Sequence, residues 1–205
     1  MNFGFLASFI VLSIVLTVNI KKQARQAKEK DADFWSRELR ANSVRRKPLD
    51  GLNYINIPLE TFPTHLLNEN QEVLECIDIL ESLTSRKTVN LTGWSNTDLK
   101  LEYGTANISL LTEYDQNYTV LVRTLQKWAD ILTENGYAKE AAVLMEFAVK
   151  TGTDISRTYY QLADYYAAAG HPGDIDRLRQ AAKNLRSSQR GIIVKKLQET
   201  YPDVF

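Results

Sequence analysis

One pattern of bulky and small residues occurs twice between about Leu121 and Leu185, at an offset of 34 residues. Its spacing places the residues of each copy on the facing sides of two helices separated by a glycine. The first copy is Leu125, Trp128, Ala129, Leu132, Gly136, Ala141, Met145 and Ala148, and the second is Tyr159, Leu162, Ala163, Tyr166, Gly170, Ile175, Arg179 and Ala182. A helix pair of this kind is apolar on a face that it cannot bury alone, so the pattern predicts stacked pairs and an all-α fold.

The two copies resemble the tetratricopeptide repeat, a helix-turn-helix unit of 34 residues. The bulky-x2-bulky-small-x2-bulky motif of its first helix and the Ala-x3-bulky motif of its second helix are matched in the first copy. The second copy departs at Ile175, where a small residue is expected, and at Arg179, where an apolar residue is expected. The resemblance covers about a third of the chain. It implies a short α-solenoid with repeats at about 122–155 and 156–189 and with flanking capping helices.

An apolar stretch from Phe3 to Ile20 contains eighteen residues and no charged side chain. As a helix it would be about 27 Å long, enough to cross the hydrocarbon core of a bilayer. No Lys or Arg precedes the stretch, whereas Lys21 and Lys22 follow it, which favours a transmembrane anchor at 1–20 over a cleaved signal peptide. The positive flank predicts a single-pass protein whose carboxy-terminal body faces the cytoplasm.

A basic segment follows, in which residues 21–47 hold ten Lys or Arg and four Asp or Glu. Since the whole chain has a formal net charge of zero, the rest of the chain is correspondingly acidic. We expect a helical juxtamembrane stalk that either contacts anionic lipid headgroups or is only a solvated flank. Phe34, Trp35 and Leu39 form a small apolar patch on it. The acidic body and the membrane tether both disfavour nucleic acid as a partner.

Three prolines and Gly51 predict an extended linker over 48–66, followed by a helical domain over 67–205. Within that domain we expect a helix at 69–83, a short helix ending before Gly104, a separate short helix carrying Ile108, and a last helix at 188–200. Asp154 and Asp174 are placed as amino-terminal caps of the second repeat's helices.

The sequence contains no motif that indicates catalysis, a cofactor or a metal. Glycine-rich phosphate loops and His-Glu-x-x-His or Gly-x-Ser-x-Gly motifs are absent, and His65 and His171 have no partner nearby in sequence. Cys76 is the only cysteine, which excludes intrachain disulfides and favours a buried apolar role. We therefore expect no enzyme. Three Asn-x-Ser/Thr triplets, at Asn90, Asn107 and Asn117, would matter only if the body faced a secretory lumen.

The resemblance implies that the first helix of each repeat lines a concave surface. The candidate partner-binding residues on these helices are Arg123, Gln126 and Asp130 in the first repeat and Arg157, Tyr160 and Asp164 in the second. Arg and Asp recur at equivalent positions, and this Arg/Asp ladder suits a peptide with both charges or a free carboxylate. The alternative is that these side chains are solvated and pair with each other. The chain is thus interpreted as a membrane-anchored adaptor, or alternatively as a structural subunit whose span and stalk make the main contacts.

Overall fold

The computed structural model describes the backbone of residues 3–204 and the side chains of residues 16–26 and 28–204. Helices account for nearly all of its regular structure. The α-helices are α1 (Phe3–Asn42), α2 (Gln71–Thr84), α3 (Asn96–Tyr103), α4 (Ile108–Glu134), α5 (Ala138–Lys150), α6 (Ser156–Ala168), α7 (Pro172–Lys183) and α8 (Gln189–Thr200), and the 3-10 helices are Leu59–Thr61, Thr105–Asn107 and Pro202–Val204. Over residues 3–204 the only strand-like pairing is an antiparallel bridge between Tyr54 and Val89. The predicted all-α class is confirmed.

Contacts divide the chain into two compact units. The α1–α3 unit contains the chain up to Pro48 together with Ser95–Ile108, and the core unit contains Leu49–Trp94 together with the chain from Ser109 onward. The segment expected as a linker, 48–66, is irregular, but it buries Ile57 and Phe62 in the core unit. Its prolines prevent a helix without preventing burial of the apolar side chains between them.

Helix α1 is 40 residues long. Most of the anchor expected at 1–20 lies outside the residues whose side chains are described. In the described part of the chain, no helix is at once long enough and apolar enough to cross a membrane. From Leu16 to Arg37, the described side chains of this helix are all solvent-exposed, including those of the basic residues.

The carboxy-terminal part of α1 packs on α3. Arg37 pairs with Asp98, and Glu38 accepts hydrogen bonds from Lys100 and from Thr97. A capping box between Ser95 and Asp98 begins α3. The bonds from Lys100 and Thr97 lower the pKa of the Glu38 carboxyl. Polar contacts therefore supply much of the stabilisation of this pair of helices.

Gly104 ends α3 at a position that requires glycine. Its φ is 85°, and a Cβ atom there would lie 2.3 Å from the carbonyl oxygen of Arg45. Close by, Asn107 donates to the carbonyl oxygens of Lys47 and Tyr103 at 2.7 and 2.8 Å. The absence of a side chain thus lets the segment after α1 lie directly against the end of α3.

In the core unit, α2 begins two residues later than predicted, because Asn70 caps it by accepting from the backbone N–H groups of Glu72 and Val73. The two helices expected between residues 105 and 135 are instead the single helix α4 of 27 residues. This prediction was wrong because the stretch has no internal Pro or Gly at which a helix would end.

The core of this unit combines the buried faces of α2 and of α4 to α8. Trp128 lies at its centre, with its ring 6.2 Å from that of Phe62 in an edge-to-face arrangement. Helix α6 packs against α5, α7 and α8. The expected caps Asp154 and Asp174 are wrong, since Ile155 and His171 occupy those positions and neither makes a side-chain capping bond. Asp174 lies instead in the first turn of α7.

Candidate partner-binding surface

The six candidate residues lie on two helices of the core unit, with Arg123, Gln126 and Asp130 on α4 and Arg157, Tyr160 and Asp164 on α6. Their surroundings differ. Gln126 is buried, Asp130 and Tyr160 are half-buried, and the other three are exposed. The six residues therefore do not form one uniformly exposed surface.

A hydrogen-bond network centred on Gln126 joins α4 to α6. The Gln126 amide donates to Gln161 Oε1 at 2.6 Å and to Asp130 Oδ1 at 2.8 Å. Its carbonyl oxygen accepts from the hydroxyl of the buried Thr158 at 2.5 Å. Gln161 in turn donates to Asp130 at 2.8 Å. Gln126 is thus a positioning group for this surface.

Asp130 and Arg157 form an ion pair across the two helices, with 3.1 Å between Arg157 Nε and Asp130 Oδ1. Two residues of the predicted Arg/Asp ladder, Asp130 and Arg157, therefore pair with each other. Asp130 accepts in total from Arg157, Gln126 and Gln161, all three at Oδ1.

The second acidic position, Asp164, accepts a hydrogen bond from the hydroxyl of Tyr201, at the end of α8. Burial, together with this carboxylate, raises the pKa of Tyr201. Tyr160, on the preceding turn of α6, packs against the hydrophobic core. Asp164 and Tyr160 are thus both in contact with other parts of the core unit.

Arg123 has a different environment. Its side chain is exposed and makes no hydrogen bond or ion pair with any other described residue. It lies at a depression of about 350 Å³ formed by α2, α4 and the start of α6, whose lining is Glu72, Arg123, Gln126, Lys127, Asp130, Ile131, Glu134 and Ile155.

The charges around this depression are partly neutralised within the protein. Lys127 lies 3.1 Å from Glu72 and 3.8 Å from Glu75, and the hydrogen bond to Glu72 raises the pKa of the Lys127 ammonium group. Glu134, at the other side of the depression, has no partner among the described side chains. Arg123 and Glu134 are therefore the charges that this surface offers to a ligand.

Sequence reasoning missed Thr158 and Gln161, which complete the network around Gln126. One signal was present, since Gln161 follows Gln126 by 35 residues and so lies close to the repeat offset. Thr158 is buried and polar, and neither periodicity nor charge distinguishes it in the sequence.

A larger cavity of about 500 Å³ lies between α5, α6 and α7. Its lining includes the apolar Leu162 and Leu178. Tyr166 donates to Glu146 at 2.8 Å and Arg177 lies 2.8 Å from Asp174, whereas the side chain of Lys150 has no such partner among the described residues. None of the six predicted residues lines it.

The other residues considered for chemistry are dispersed. His65 and His171 are exposed in turns, and no group of three or more His, Cys, Asp or Glu within the described residues is placed to hold a metal. Cys76 is buried and unpaired, and burial raises the pKa of its thiol, which disfavours the reactive thiolate. The predicted buried role of Cys76 is confirmed.

In all three glycosylation triplets, the side-chain amide of the asparagine donates hydrogen bonds to backbone carbonyl oxygens. Asn90 donates to the carbonyl oxygens of Thr151 and Gly152 at 2.9 and 3.0 Å, and Asn117 donates to that of Lys87 at 2.9 Å. Asn107 is fully buried and also donates twice. A glycan on any of these nitrogens would break contacts that the fold requires.

Comparison with protein-family models, with curated proteins and with solved structures gives no match to this chain. The function is therefore inferred from the geometry of the surface itself.

Proposed function

We propose that the protein is a membrane-anchored helical-repeat adaptor of tetratricopeptide type, which binds a protein or peptide partner on the cytoplasmic side through the surface around Arg123. The observation that carries this proposal is the exposed Arg123 at the depression between α2, α4 and α6, whose side chain makes no hydrogen bond or ion pair with another described residue. Such a guanidinium group is available for a bidentate contact with a carboxylate.

The network behind Arg123 makes this surface rigid. Because Gln126, Gln161 and Asp130 bond to one another, the spacing between α4 and α6 is fixed before a partner arrives. Binding then orders few groups of the adaptor, which lowers the entropic cost of association. The partner that fits is an extended segment with a carboxylate at Arg123 and a basic group at Glu134.

The sequence of the first 47 residues supports membrane anchoring with the body in the cytoplasm. The uncharged stretch up to Ile20 forms the anchor, and the basic residues of 21–47 flank it on the cytoplasmic side and contact anionic headgroups. The amides of Asn90, Asn107 and Asn117 donate to backbone carbonyl oxygens within the fold, which also supports this orientation, since transfer of glycans to them would prevent folding in a secretory lumen. Binding rather than catalysis is the proposed activity, and no cofactor takes part in it.

Affinity capture of the full-length protein from membranes tests the binding surface. Arg123→Ala is compared with Arg177→Ala, which removes an equally exposed arginine from α7. Loss of a charge-assisted contact worth about 1.5–3 kcal/mol is expected to reduce partner recovery by roughly ten- to a hundredfold in the first variant only. Equal recovery by wild type and Arg123→Ala would contradict the proposal.

A second candidate function is a structural subunit of a membrane complex, held by the span and the stalk. It is favoured by Phe34, Trp35 and Leu39, which are all exposed on α1. The rings of Phe34 and Trp35 lie 5.6 Å apart in an edge-to-face arrangement and form an apolar surface. On this hypothesis, replacing Trp35 and Leu39 with Ser would release the partner, whereas Arg123→Ala would not.

A further inference from the structure

Two helices of the core unit present outer faces of opposite charge. Helix α2 lies beside α4, and Glu72 of α2 forms an ion pair with Lys127 of α4. Helix α8 packs against α6 and α7. Each outer face also exposes aliphatic side chains, which neighbouring helices of the same unit do not cover. Neither face includes Arg123 or the network around Gln126.

The face of α2 is acidic. Residues 61–85 contain five Asp or Glu and no Lys or Arg. On α2, the acidic side chains of Glu75, Asp78 and Glu81 are exposed. Leu74 and Ile79 are 37% and 39% exposed on the same helix. This surface is therefore aliphatic with an acidic border.

The face of α8 is mainly basic. Helix α8 contains three basic residues, Arg190, Lys195 and Lys196, and one acidic residue, Glu199. On α8, Ile192 is 57% exposed, and Lys195 and Lys196 follow it on the next turn. Between α8 and α7 lies a depression of about 390 Å³ that Lys183, Arg190 and Lys195 line, without an acidic residue in its lining.

Some of these basic groups are already paired, and others are not. Arg177 and Arg179 pair with Asp174 and Asp176 within α7, and Lys195 lies 3.6 Å from Glu199. The side chains of Lys183, Arg190 and Lys196 form no hydrogen bond or ion pair with another described residue. The α8 face thus has cations available for an acidic surface.

We propose that the α8 face of one copy binds the α2 face of a second copy, so that the protein associates head to tail. The occupant is assigned as a second copy because this chain itself carries both complementary surfaces, each aliphatic with a border of opposite charge. An interface made of two different faces is heterologous, so each added copy leaves one free face of each kind. The result is a ring or a short array, which would multiply the proposed partner sites on one membrane.

Charge exchange in the full-length chain tests this arrangement. An acid-exchanged variant carries Asp78→Lys and Glu81→Lys, and a base-exchanged variant carries Lys195→Glu and Lys196→Glu. Each is produced with two different tags in the same membranes, and co-capture of one tag with the other is measured after mild detergent extraction. Circular dichroism confirms that each variant is folded. Glu113→Lys and Lys139→Glu, on exposed positions of α4 and α5, form the matched control.

Each exchanged variant is expected to lose self-capture by on the order of tenfold, because like charges then face each other. Mixing the two variants restores capture, since α2 of the first then complements α8 of the second, and α8 of the first complements α2 of the second. Added salt weakens the wild-type association, because these charges are exposed.

Several outcomes would overturn the proposal. These are a wild-type chain without self-capture, exchanged variants that self-capture as the wild type does, and a mixture in which capture is not restored. Loss of binding to anionic vesicles by the base-exchanged variant, without any change in self-capture, would assign α8 to the lipid surface instead. Arg123→Ala is expected to leave self-capture unchanged, so this test fails or succeeds independently of the proposed partner site.

Discussion

The α1–α3 unit and the core unit are stabilised by different forces. In the first, described contacts between the two helices are mostly ionic and hydrogen-bonded, and Ala41 and Leu99 are the only buried apolar side chains among its described residues. In the second, six helices bury one continuous apolar cluster around Trp128. Truncation of a side chain is therefore expected to destabilise the core unit, whereas a change of ionisation or of backbone conformation is expected to destabilise the α1–α3 unit.

The largest difference in the free energy of unfolding is expected between alanine substitutions of two tryptophans. Trp128 is fully buried in the core unit, whereas Trp35 is 63% exposed on α1. Trp128→Ala is expected to lower the free energy of unfolding by about 3–5 kcal/mol because it leaves a cavity. Trp35→Ala is expected to change it by less than about 0.5 kcal/mol. Urea denaturation followed by circular dichroism measures both. Similar losses in the two variants would contradict the division of forces.

Gly104→Ala tests the effect of backbone strain on the α1–α3 unit. The added Cβ would lie 2.3 Å from the carbonyl oxygen of Arg45, at a φ of 85°. The strain is expected to cost about 2–3 kcal/mol and to open the contact between α1 and α3. Hydrogen exchange of the α3 amides measures the opening. Gly173→Ala on α7, which meets no atom within 4 Å, is the matched control and is expected to be neutral or to stabilise by up to about 1 kcal/mol.

Within the core unit, Gln126→Ala tests whether a polar network adds to apolar packing. The variant leaves Thr158 without its acceptor and Asp130 without one donor, at an expected cost of about 1–2 kcal/mol. Gln116→Ala, at an exposed position of the same helix, is expected to have almost no effect. Equal denaturation midpoints for the two variants would show that the network contributes nothing to the joining of α4 and α6.

Acidification is expected to have the smallest effect on stability. It destabilises the α1–α3 unit and stabilises the core unit. Hydrogen bonds from Lys100 to Glu38 and from Ser95 to Asp98 lower the pKa of both carboxyl groups below the ordinary 4.5 and 3.8. Their stabilisation is present above those values and is lost as pH falls through the lowered pKa of each group. In the core unit, burial raises the pKa of Asp115 above 3.8, so its protonation near that pH favours the folded state.

Hydrogen exchange as a function of pH separates these two responses. Once exchange rates are corrected for intrinsic pH dependence, protection of α3 is expected to fall in acid before protection of α4 does. Glu38→Gln is expected to make α3 protection less dependent on pH. An earlier loss in α4, or an unchanged pH profile in Glu38→Gln, would contradict the assigned role of the Glu38 carboxylate.

The sequence predicted most helices because their signals are local. The apolar stripe of Val73, Cys76, Ile77, Leu80 and Leu83 predicted α2, and all of these side chains except the half-buried Ile77 are buried. A break between two helices was predicted within α4 but does not occur, because the stretch contains no Pro or Gly at which a helix would end. Pairings between distant residues, such as Arg37 with Asp98, leave no local pattern that a single sequence reveals.

The candidate surface was predicted in part. The recurrence of Arg and Asp in the sequence singled out Arg123, Asp130 and Arg157. It did not reveal that Arg157 forms an ion pair with Asp130. The contact from Tyr201 to Asp164 joins residues 37 positions apart through the end of α8, which the repeat pattern does not include. Asp130 and Asp164 therefore have different environments, because the first pairs with Arg157 and the second with Tyr201 at the end of α8.

Site-specific photocrosslinking in intact membranes tests the central proposal most directly. A photoreactive residue is placed at the exposed Thr133, one residue before Glu134 of the depression, or at the exposed Trp35 of α1. A partner adduct is expected from Thr133, and it should disappear when Arg123→Glu is added and persist with Arg177→Glu. An adduct from Trp35 alone, or one from Thr133 that is unaffected by Arg123→Glu, would contradict the proposal.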